Sequence, residues 1–381
     1  MLIAVYAISI LAGLLTADGP MDVLRRPLGT DFSQVWAAGV SVLAGQPEQP
    51  FEPGLHAAAQ QWLFAPDTPF YGWHYPPYFL GVAALVALLP YVPALLAWQA
   101  VTLAGYALVV RSILPHPLTV VLALAFPAVL VNLWHGHNGF LTAALLGGGL
   151  LLLDRRPVLA GVLWALLAYK PHFGLVLPVV LLAERRWTTI ASAAVTVMLM
   201  TLATVLAFGT GTWHAFRASL PFTRTVVLEA GTTGWEKIQS AFSAARALGA
   251  GVGTAYVVQG ILTGVVVLAL GWLWRSQADR RLKSAGLITA ALLSTPYVLD
   301  YDMVVLAPAL AFMVSYALDR GFRPWEISLL TFVWIAPIVT RSIAALTLVP
   351  IGLLAMLTLF ALTIGAALRR PVLPASSPAL A

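Results

Sequence analysis

Apolar residues run through the chain in long stretches, and polar residues are confined to short segments between them. About thirteen such stretches suggest helices within a bilayer, although several fall below the ~20 residues that span it unaided. Inside lipid the backbone polar groups must bond within their own segment, which favours α-helices. The stretches lie at residues 2–16, 78–92, 94–114, 117–134, 139–153, 157–169, 173–183, 188–208, 252–274, 284–299, 302–318, 326–340 and 343–367. The pattern predicts an all-α, polytopic membrane protein.

Composition supports lipid as the solvent of this chain. Of its 381 residues 60% are hydrophobic and 9% are charged, whereas soluble globular proteins carry about 25% charged residues. The formal net charge is +6, but Lys and Arg stand mostly in short pairs between apolar runs rather than in a stripe, so we predict no nucleic-acid partner. The chain contains no cysteine, which excludes disulfides, zinc-thiolate sites and thiol catalysis.

The positions of Lys and Arg predict which helix ends face the cytoplasm, because cytoplasmic loops carry an excess of these residues. The basic segments assigned to that side are Arg155-Arg156, Arg185-Arg186, Arg275 to Lys283, Arg320 with Arg323, and Arg369-Arg370. Alternation then places outside the polar segments 135–139, 170–172, 209–251 and 300–302. An odd number of crossings cannot leave both termini inside. We therefore expect one stretch between 78 and 134 to stop short, which leaves about 12 transmembrane helices.

The predicted organisation is a single transmembrane domain over residues 1–370, followed by a Pro/Ser-rich disordered tail over 371–381. The first run, Met1 to Thr16, has no basic start and no convincing cleavage site, so we expect an uncleaved span. It is short for a span, which suggests a native start upstream of Met1.

Two external loops interrupt the apolar pattern, at 17–77 and 209–251. In the first, apolar residues recur at helical spacing from Phe32 to Leu43, with Ser33, Gln34 and Ser41 on the opposite face. This spacing predicts an amphipathic helix in the membrane interface. A second interfacial helix is predicted from Leu55 to Phe64.

Ionisable residues at the ends of membrane helices are costly to bury, so each is a candidate functional residue. Asp31 stands at the start of the first interfacial helix, where it either caps the helix or presents a carboxylate rigidly at the membrane surface. His74 and Tyr75 precede two prolines that suit the start of the second apolar run, and this structural explanation leaves His74 unaccounted for.

The external turn 135–139 contains His137 and Asn138, which are candidates for substrate contact. Plain turn chemistry and a metal site are the alternatives. Histidines at i, i+2 spacing without an acid or cysteine are a weak metal signal, and we predict no metal site.

Lys170 and His172 lie at the outer end of a span, where an isolated lysine runs against the positive-inside rule. A fixed cation at this depth suits a phosphate at headgroup level, and snorkelling of the lysine is the alternative. Arg341 is an external arginine between the last two spans and is a candidate for binding an anionic headgroup.

Asp300, Tyr301 and Asp302 place two carboxylates at the junction of two spans. They suit a polar ligand, and helix capping explains Asp300 equally well. Together the external face offers carboxylates, cations, histidines and aromatics. The chemistry that matches this set uses a hydroxyl nucleophile, a carboxylate that takes its proton, and a lipid phosphate whose departing charge is neutralised by cations.

Five motifs occur in a characteristic order. They are Asp31-Phe32-x-x-x-Trp36-x-Ala38, Tyr75-Pro76-Pro77, Gly136-His137-Asn138, Lys170-Pro171, and Thr295-Pro296 ahead of Tyr301-Asp302. The pattern, over about residues 28–310, resembles the GT-C superfamily of membrane glycosyltransferases, specifically family 87, the polyprenyl-phosphate-mannose-dependent mannosyltransferases. It departs from the family in the Gly-His-Asn turn, which usually reads Gly-Gln-Asn, and in the acidic segment 300–302, where a His often stands.

The resemblance implies a GT-C fold and an inverting transfer of a hexose, mannose in that family, from a polyprenyl-phosphate donor to a lipid or glycan acceptor. The reaction is expected on the external or periplasmic side of the inner (plasma) membrane. Asp31 matches the family's catalytic base, Lys170 with His172 matches donor-phosphate contacts, and the segment 300–302 matches a second polar cluster. No cofactor is implied.

A lipid or glycolipid transporter or flippase is the alternative function, and a non-catalytic partner in an envelope-polysaccharide complex is a third. A transporter is expected to carry polar residues in the middle of its spans and inverted repeats. Here the ionisable residues gather at external helix ends, which disfavours a path through the membrane.

Overall fold

A computed structural model describes residues 1–369, which form α-helices joined by short 3₁₀ turns and contain no β-strand, only isolated bridges. The predicted tail 371–381 and Arg370 lie outside the described residues. The helices are α1 Leu2–Leu15, α2 Thr30–Leu43, α3 Pro53–Leu63, α4 Leu80–Val86, α5 Tyr91–Ile113, α6 Thr119–Ala125, α7 Pro127–His135, α8 Gly139–Leu152, α9 Pro157–Leu166, α10 Leu177–Ala183, α11 Trp187–Phe222, α12 Ala241–Ala247, α13 Val252–Arg275, α14 Arg280–Leu293, α15 Leu306–Arg320, α16 Glu326–Thr347 and α17 Ile351–Ala367.

Many of these helices suit a membrane. Within residues 1–369, five helical segments are long and apolar enough to cross one: Tyr91–Ile113, Trp187–Glu229, Val252–Arg275, Asp300–Arg320 and Glu326–Thr347. Six shorter apolar helices accompany them: Leu2–Leu15, Pro77–Val86, Gly139–Leu152, Pro157–Tyr169, Pro171–Ala183 and Ile351–Ala367. The all-α prediction is confirmed. The number of about 12 crossings stays a prediction.

Two interrupted helices occupy the region where one stretch was expected to stop short. α4 has seven residues, which is about 10 Å of helix against a hydrocarbon thickness of about 30 Å. α6 and α7 are separated at Phe126, whose ψ of 123° departs from helical geometry ahead of Pro127. α4, α6 and α7 are each shorter than the hydrocarbon core, and the expectation that one stretch of this region stops short stays a prediction.

Both helices predicted in the segment 17–77 are present, as α2 and α3. α2 differs from a helix that lies on a membrane with one face in water, because Ser33, Gln34 and Ser41 on its polar face are buried. A Cβ on Gly39 of α2 would lie 2.0 Å from the carbonyl oxygen of Ala83 in α4. The two backbones touch, so packing inside the protein fixes the position of α2.

The predicted loop 209–251 is helical over much of its length. α11 bends at Gly209 (φ 78°, ψ 165°) and continues to Phe222, because glycine allows a conformation that other residues avoid. A π-helical segment, Thr223–Glu229, follows. The apolar pattern had ended this span at residue 208, and there the structure has a bend instead of a helix end.

The centre of the bundle is α14, which corresponds to the predicted span 284–299. Every residue from Ser284 to Leu293 is buried, and the helix contacts α13, α15 and α17. Its start is capped by Asp279, whose carboxylate accepts a hydrogen bond of 2.9 Å from the backbone N–H of Arg281.

One end of the bundle carries a network of ion pairs, formed by three segments that the charge pattern assigned to the cytoplasm. Glu184 accepts hydrogen bonds of 2.8–3.0 Å from Arg186, Arg280 and Lys283. Asp154 pairs with Arg186 at 2.6 Å and with Arg280 at 3.3 Å. The prediction that these segments share one side of the protein agrees with this clustering.

The polar segments 170–172 and 300–302 lie towards the opposite end. The chain passes from the network through α9 to Lys170, and through α14 to Asp300. At 1.5 Å per residue, α9 with its 10 residues is about 15 Å long and α14 with its 14 residues is about 21 Å long. The network and these candidate site residues are therefore separated by the length of the same helices.

Candidate active site

A cavity of about 320 Å³ lies at the bundle end that carries segments 170–172 and 300–302, and its size falls in the range of small-molecule sites. Eight predicted site residues line it: Asp31, His74, Tyr75, His137, Lys170, His172, Tyr301 and Asp302. They come from sequence positions up to 271 residues apart (302 − 31). The tertiary structure therefore brings together most of the residues that the sequence singled out.

Asp31 is the second residue of α2 and forms part of the cavity wall. The N-cap of α2 is Gly29, with a left-handed φ of 63°, and no side chain caps the helix. The interpretation of Asp31 as a helix cap is therefore wrong. A Cβ on Gly29 would lie 3.5 Å from the Cα of Gly136, so the chain that leads into α2 rests on the turn that carries His137.

The carboxylate of Asp31 has neither an ion pair nor a hydrogen bond with any residue from 1 to 369. Burial raises the pKa of Asp31, while the nearby charges of His135, Lys237 and Lys170 lower it. A carboxylate whose pKa is raised, and whose oxygens have no other partner in the described chain, is suited to accept a proton from a ligand.

Lys170 and Asp302 form a buried ion pair in the wall. The Nζ of Lys170 donates to Oδ1 of Asp302 at 2.7 Å, and the two side chains are 7% and 2% exposed. The other carboxylate oxygen of Asp302 accepts a 3.1 Å hydrogen bond from the N–H of Leu299. Burial lowers the pKa of Lys170, and the carboxylate of Asp302 opposes that shift. Snorkelling does not describe this lysine, because its ammonium is inside the protein.

His137 connects the Lys170 pair to Tyr301. Its Nε2 is 3.5 Å from the Nζ of Lys170, and its ring stacks on that of Tyr301 with centroids 3.6 Å apart. Burial lowers the pKa of His137, and the charge of Lys170 lowers it further. A neutral imidazole with an unprotonated Nε2 can accept a hydrogen bond from the ammonium of Lys170, while its ring covers Tyr301.

Tyr75 joins the cavity wall to a buried layer behind it. Its hydroxyl accepts a 2.8 Å hydrogen bond from the amide nitrogen of Asn138, a predicted site residue that does not line the cavity. In the same layer the hydroxyls of Tyr169 and Thr142 are 2.6 Å apart. Asn138 thus orients a wall residue.

His74 and His172 stand on the side of the cavity formed by the π-helical segment. Nδ1 of His74 is 2.8 Å from the hydroxyl of Thr223, and the hydroxyl of Tyr297 donates to the backbone oxygen of Thr223 at 3.0 Å. The ring of His172 lies 6.4 Å from that of Tyr297. The π-helical segment is therefore fixed from two directions, as is frequent for such segments at functional sites.

Besides Asn138, two predicted site residues, Asp300 and Arg341, are not in the wall. Asp300 is buried beneath it, where its carboxylate accepts a 2.9 Å hydrogen bond from the N–H of Tyr301. The sequence offered Asp300 as the cap of the following helix. Instead, the carboxylate of Asp302 accepts the hydrogen bond at this helix start, from the N–H of Leu299. Arg341 is exposed on α16 and away from the cavity lining.

Several residues of the wall were not predicted as site residues: Gln34, Phe70, Tyr71, Thr223, Thr232, Thr233, Lys237 and Tyr297. Most are uncharged and stand in no motif, so the sequence carried no signal for them. Lys237 was visible as a charge in an external loop, although nothing in the sequence connected that loop with Asp31. In residues 1–369 no group of three or more His, Cys, Asp or Glu side chains is arranged to hold a metal ion.

The profile of glycosyltransferase family 87 matches residues 73–296, more than half of the chain. The protein belongs to this family. Family 87 consists of GT-C type membrane glycosyltransferases, and this assignment does not favour the transporter interpretation. No curated protein and no solved structure matches the chain. The range matched to family 87 includes the wall residues from His74 to His172, while Asp31 and the segment 300–302 lie outside it.

Proposed function

We propose that this family 87 glycosyltransferase moves a hexose from a polyprenyl-phosphate donor to a hydroxyl of a lipid or glycan acceptor. The proposed hexose is mannose, the sugar of the enzymes that the motifs resemble. The observation that carries the proposal is the state of the two carboxylates in the cavity wall. Asp302 is occupied by Lys170 and Leu299, whereas Asp31 has no partner in residues 1–369. Asp31 is the carboxylate that remains available for a substrate.

In the proposed reaction Asp31 acts as the general base. The acceptor hydroxyl gives its proton to the Asp31 carboxylate while its oxygen forms a bond to the anomeric carbon of the sugar. The bond from that carbon to the phosphate oxygen breaks, and the phosphate leaves with the electron pair. A positioned base typically contributes 10²–10⁴-fold to the rate of such a step.

A single available carboxylate supports inversion at the anomeric carbon. Retention by double displacement requires a second group that forms a covalent sugar intermediate. Asp302 is a poor nucleophile in this setting, because its buried pairing with Lys170 occupies one oxygen and the N–H of Leu299 occupies the other. A direct attack by the acceptor needs only Asp31.

The remaining predicted site residues are proposed to shape the site for the donor. Lys170 and His172 offer positive charge and a ring nitrogen to the leaving phosphate. Tyr75, which is oriented by Asn138, and Tyr301, which is covered by His137, present ring surface and hydroxyls to the sugar. His74 completes that side of the wall. Asp300 supports the segment beneath it, and Arg341 is proposed to contact anionic lipid headgroups nearby.

We further propose that the cavity faces the external or periplasmic side of the inner (plasma) membrane. The basic clusters gather in the network around Glu184, and basic clusters mark the cytoplasmic side. The cavity is at the other end of α9 and α14, where a donor carried in the outer leaflet would present its sugar.

The test is transfer of a radiolabelled sugar from a polyprenyl phosphate by purified protein in lipid. Asp31→Asn keeps the shape of the side chain and removes its basicity, so we expect a loss of about 10²–10⁴-fold in rate. Asp67→Asn is the matched control, because Asp67 is exposed, pairs with Arg25 and lies outside the cavity. Equal rates for wild type and Asp31→Asn would remove Asp31 as the base. A wild type that transfers sugar from no such donor to any lipid or glycan acceptor would refute the function itself.

A further inference from the structure

The cavity wall contains two lysines, and they differ in what they contact. The ammonium of Lys170 is bound to Asp302 at 2.7 Å and is buried. The ammonium of Lys237, which also lines the cavity, has no ion pair or hydrogen bond with any residue between 1 and 369. We propose that Lys237, together with the hydroxyl of Thr233, binds the phosphate of the lipid donor. This inference rests on the proposed function and adds a phosphate-binding element that no motif contains.

The backbone at Lys237 is held in place next to the segment that carries Tyr301. The carbonyl oxygen of Lys237 accepts a 2.9 Å hydrogen bond from the N–H of Asp300. Two residues on, the N–H of Gln239 donates to the oxygen of Val298 at 2.7 Å. A lysine on a fixed backbone loses less conformational freedom when it binds a ligand than one on a mobile loop.

Thr233 supplies a second and independent observation. Its hydroxyl oxygen is buried and has no hydrogen-bond partner in the described part of the chain, although the residue forms part of the cavity wall. Buried hydroxyls are normally bonded, because an unpaired one loses its contacts with water. When this hydroxyl turns toward the cavity by rotation of the side chain, a ligand oxygen there can accept its hydrogen bond.

The turn that contains Gly231 and Gly234 brings Thr233 and Lys237 to the same wall of the cavity. Gly231 and Gly234 have φ values of 66° and 85°, in the left-handed region that favours glycine. A Cβ on Gly231 would lie 2.3 Å from the indole nitrogen of Trp235, so the turn is packed closely against that ring. The guanidinium carbon of Arg246 lies 4.8 Å from the centroid of the same ring. The turn is therefore braced by aromatic packing.

The chemistry of the leaving group matches a cation and a hydroxyl donor. When the sugar–phosphate bond breaks, the lipid phosphate keeps the bonding electron pair and gains a negative charge. An ammonium and a hydroxyl both donate to phosphate oxygens, and these contacts strengthen as charge develops. Lys170 also faces the cavity, but Asp302 compensates part of its charge, so Lys237 adds the positive charge that no carboxylate in the described chain pairs with.

Binding of farnesyl phosphate, compared with farnesol, isolates the phosphate contact from the lipid contact. We expect the wild type to prefer the phosphate, Lys237→Met to lose about 10- to 100-fold in affinity for it, and Lys237→Arg to keep most of that affinity. Thr233→Val preserves shape and should lose about 2- to 10-fold. Affinity for farnesol should stay constant. Arg275→Met is the control, because Arg275 is an exposed cation at the other end of the bundle.

Three outcomes would overturn the inference: a wild type with no preference for the phosphate, a folded Lys237→Met that keeps it, or a Lys237→Met that weakens farnesol binding equally. If Lys237→Met does not fold, Thr233→Val decides, and unchanged phosphate binding by that variant counts against the site. Sugar transfer separates this result from the proposed function. An active wild type with unaffected variants removes only the phosphate site, whereas an inactive wild type with the expected binding losses removes only the transferase reaction.

Discussion

The ammonium of Lys170 lies 2.7 Å from a carboxylate oxygen of Asp302, and the two residues are 132 positions apart in the chain. The pair joins the end of the α9 segment to the segment that precedes α15. It therefore holds two motifs of the sequence together in one wall of the cavity. It also sets the positions of a cation and a carboxylate in the cavity that contains Asp31.

Breaking this pair should destabilise the protein strongly. Lys170→Met leaves the Asp302 carboxylate buried without its cation, and the loss of one partner of a buried pair costs about 3–5 kcal/mol. The double variant Lys170→Met/Asp302→Asn should recover part of this loss, because Asn can still accept from Leu299. Thermal unfolding in one fixed detergent measures both, with Arg275→Met as the control. A double variant less stable than Lys170→Met would contradict the pairing argument.

As the pH is lowered, the transferase activity should begin to fall at a higher pH than it would if Asp31 had the usual pKa of an aspartate. Burial raises the pKa of Asp31, and a general base works only when deprotonated, so activity declines as pH drops through that raised pKa. Because the charge of Lys237 lowers the pKa of Asp31, Lys237→Met should move the acid limb of kcat/KM to still higher pH. Arg275→Met should leave the limb in place. An acid limb that Lys237→Met does not move would argue against this coupling.

The close contact of α2 with α4 should make Gly39 intolerant of a side chain. A Cβ there meets the oxygen of Ala83 at 2.0 Å, so Gly39→Ala should separate the helices, cost about 1–3 kcal/mol and displace Asp31. Gly81→Ala is the matched control, because Gly81 is on α4 with nothing within 4 Å of an added Cβ, and it should be neutral or gain up to about 1 kcal/mol. Unfolding temperature and transferase rate report the two effects. Equal behaviour of the two variants would show that the helices do not touch as described.

The two ends of the bundle should be accessible from opposite sides of the membrane. The chain has no cysteine, so a single introduced thiol reports its own side. Gly54 is an exposed residue of α3, and Arg155 lies beside the ion-pair network, so Gly54→Cys and Arg155→Cys are suitable positions. We expect a membrane-impermeant maleimide to label the first in intact cells and the second only after permeabilisation. The reverse pattern would place the cavity in the cytoplasm.

The sequence by itself determined the class of the protein. A chain with 60% hydrophobic and 9% charged residues cannot cover a soluble surface, and long apolar runs in lipid fold as helices because their backbone groups have no other partners. The order of short motifs led to family 87, which the profile over residues 73–296 confirms. The pairs of arginines indicated which loops lie on the same side of the membrane. Such pairs can be read directly from the residues of each loop, without knowledge of the tertiary structure.

The tertiary structure decided which candidate residues contact one another. Asp31 and Asp302 are the same residue type, and the sequence does not distinguish them. Packing pairs Asp302 with Lys170 and leaves Asp31 without a partner in residues 1–369. Helix ends were displaced where glycine bends the backbone, as at Gly209, since apolar periodicity does not record backbone angles. Lys237 is held at the cavity by one backbone hydrogen bond from Asp300, a residue 63 positions later (300 − 237). Such contacts depend on which distant segments meet, and no local pattern encodes that.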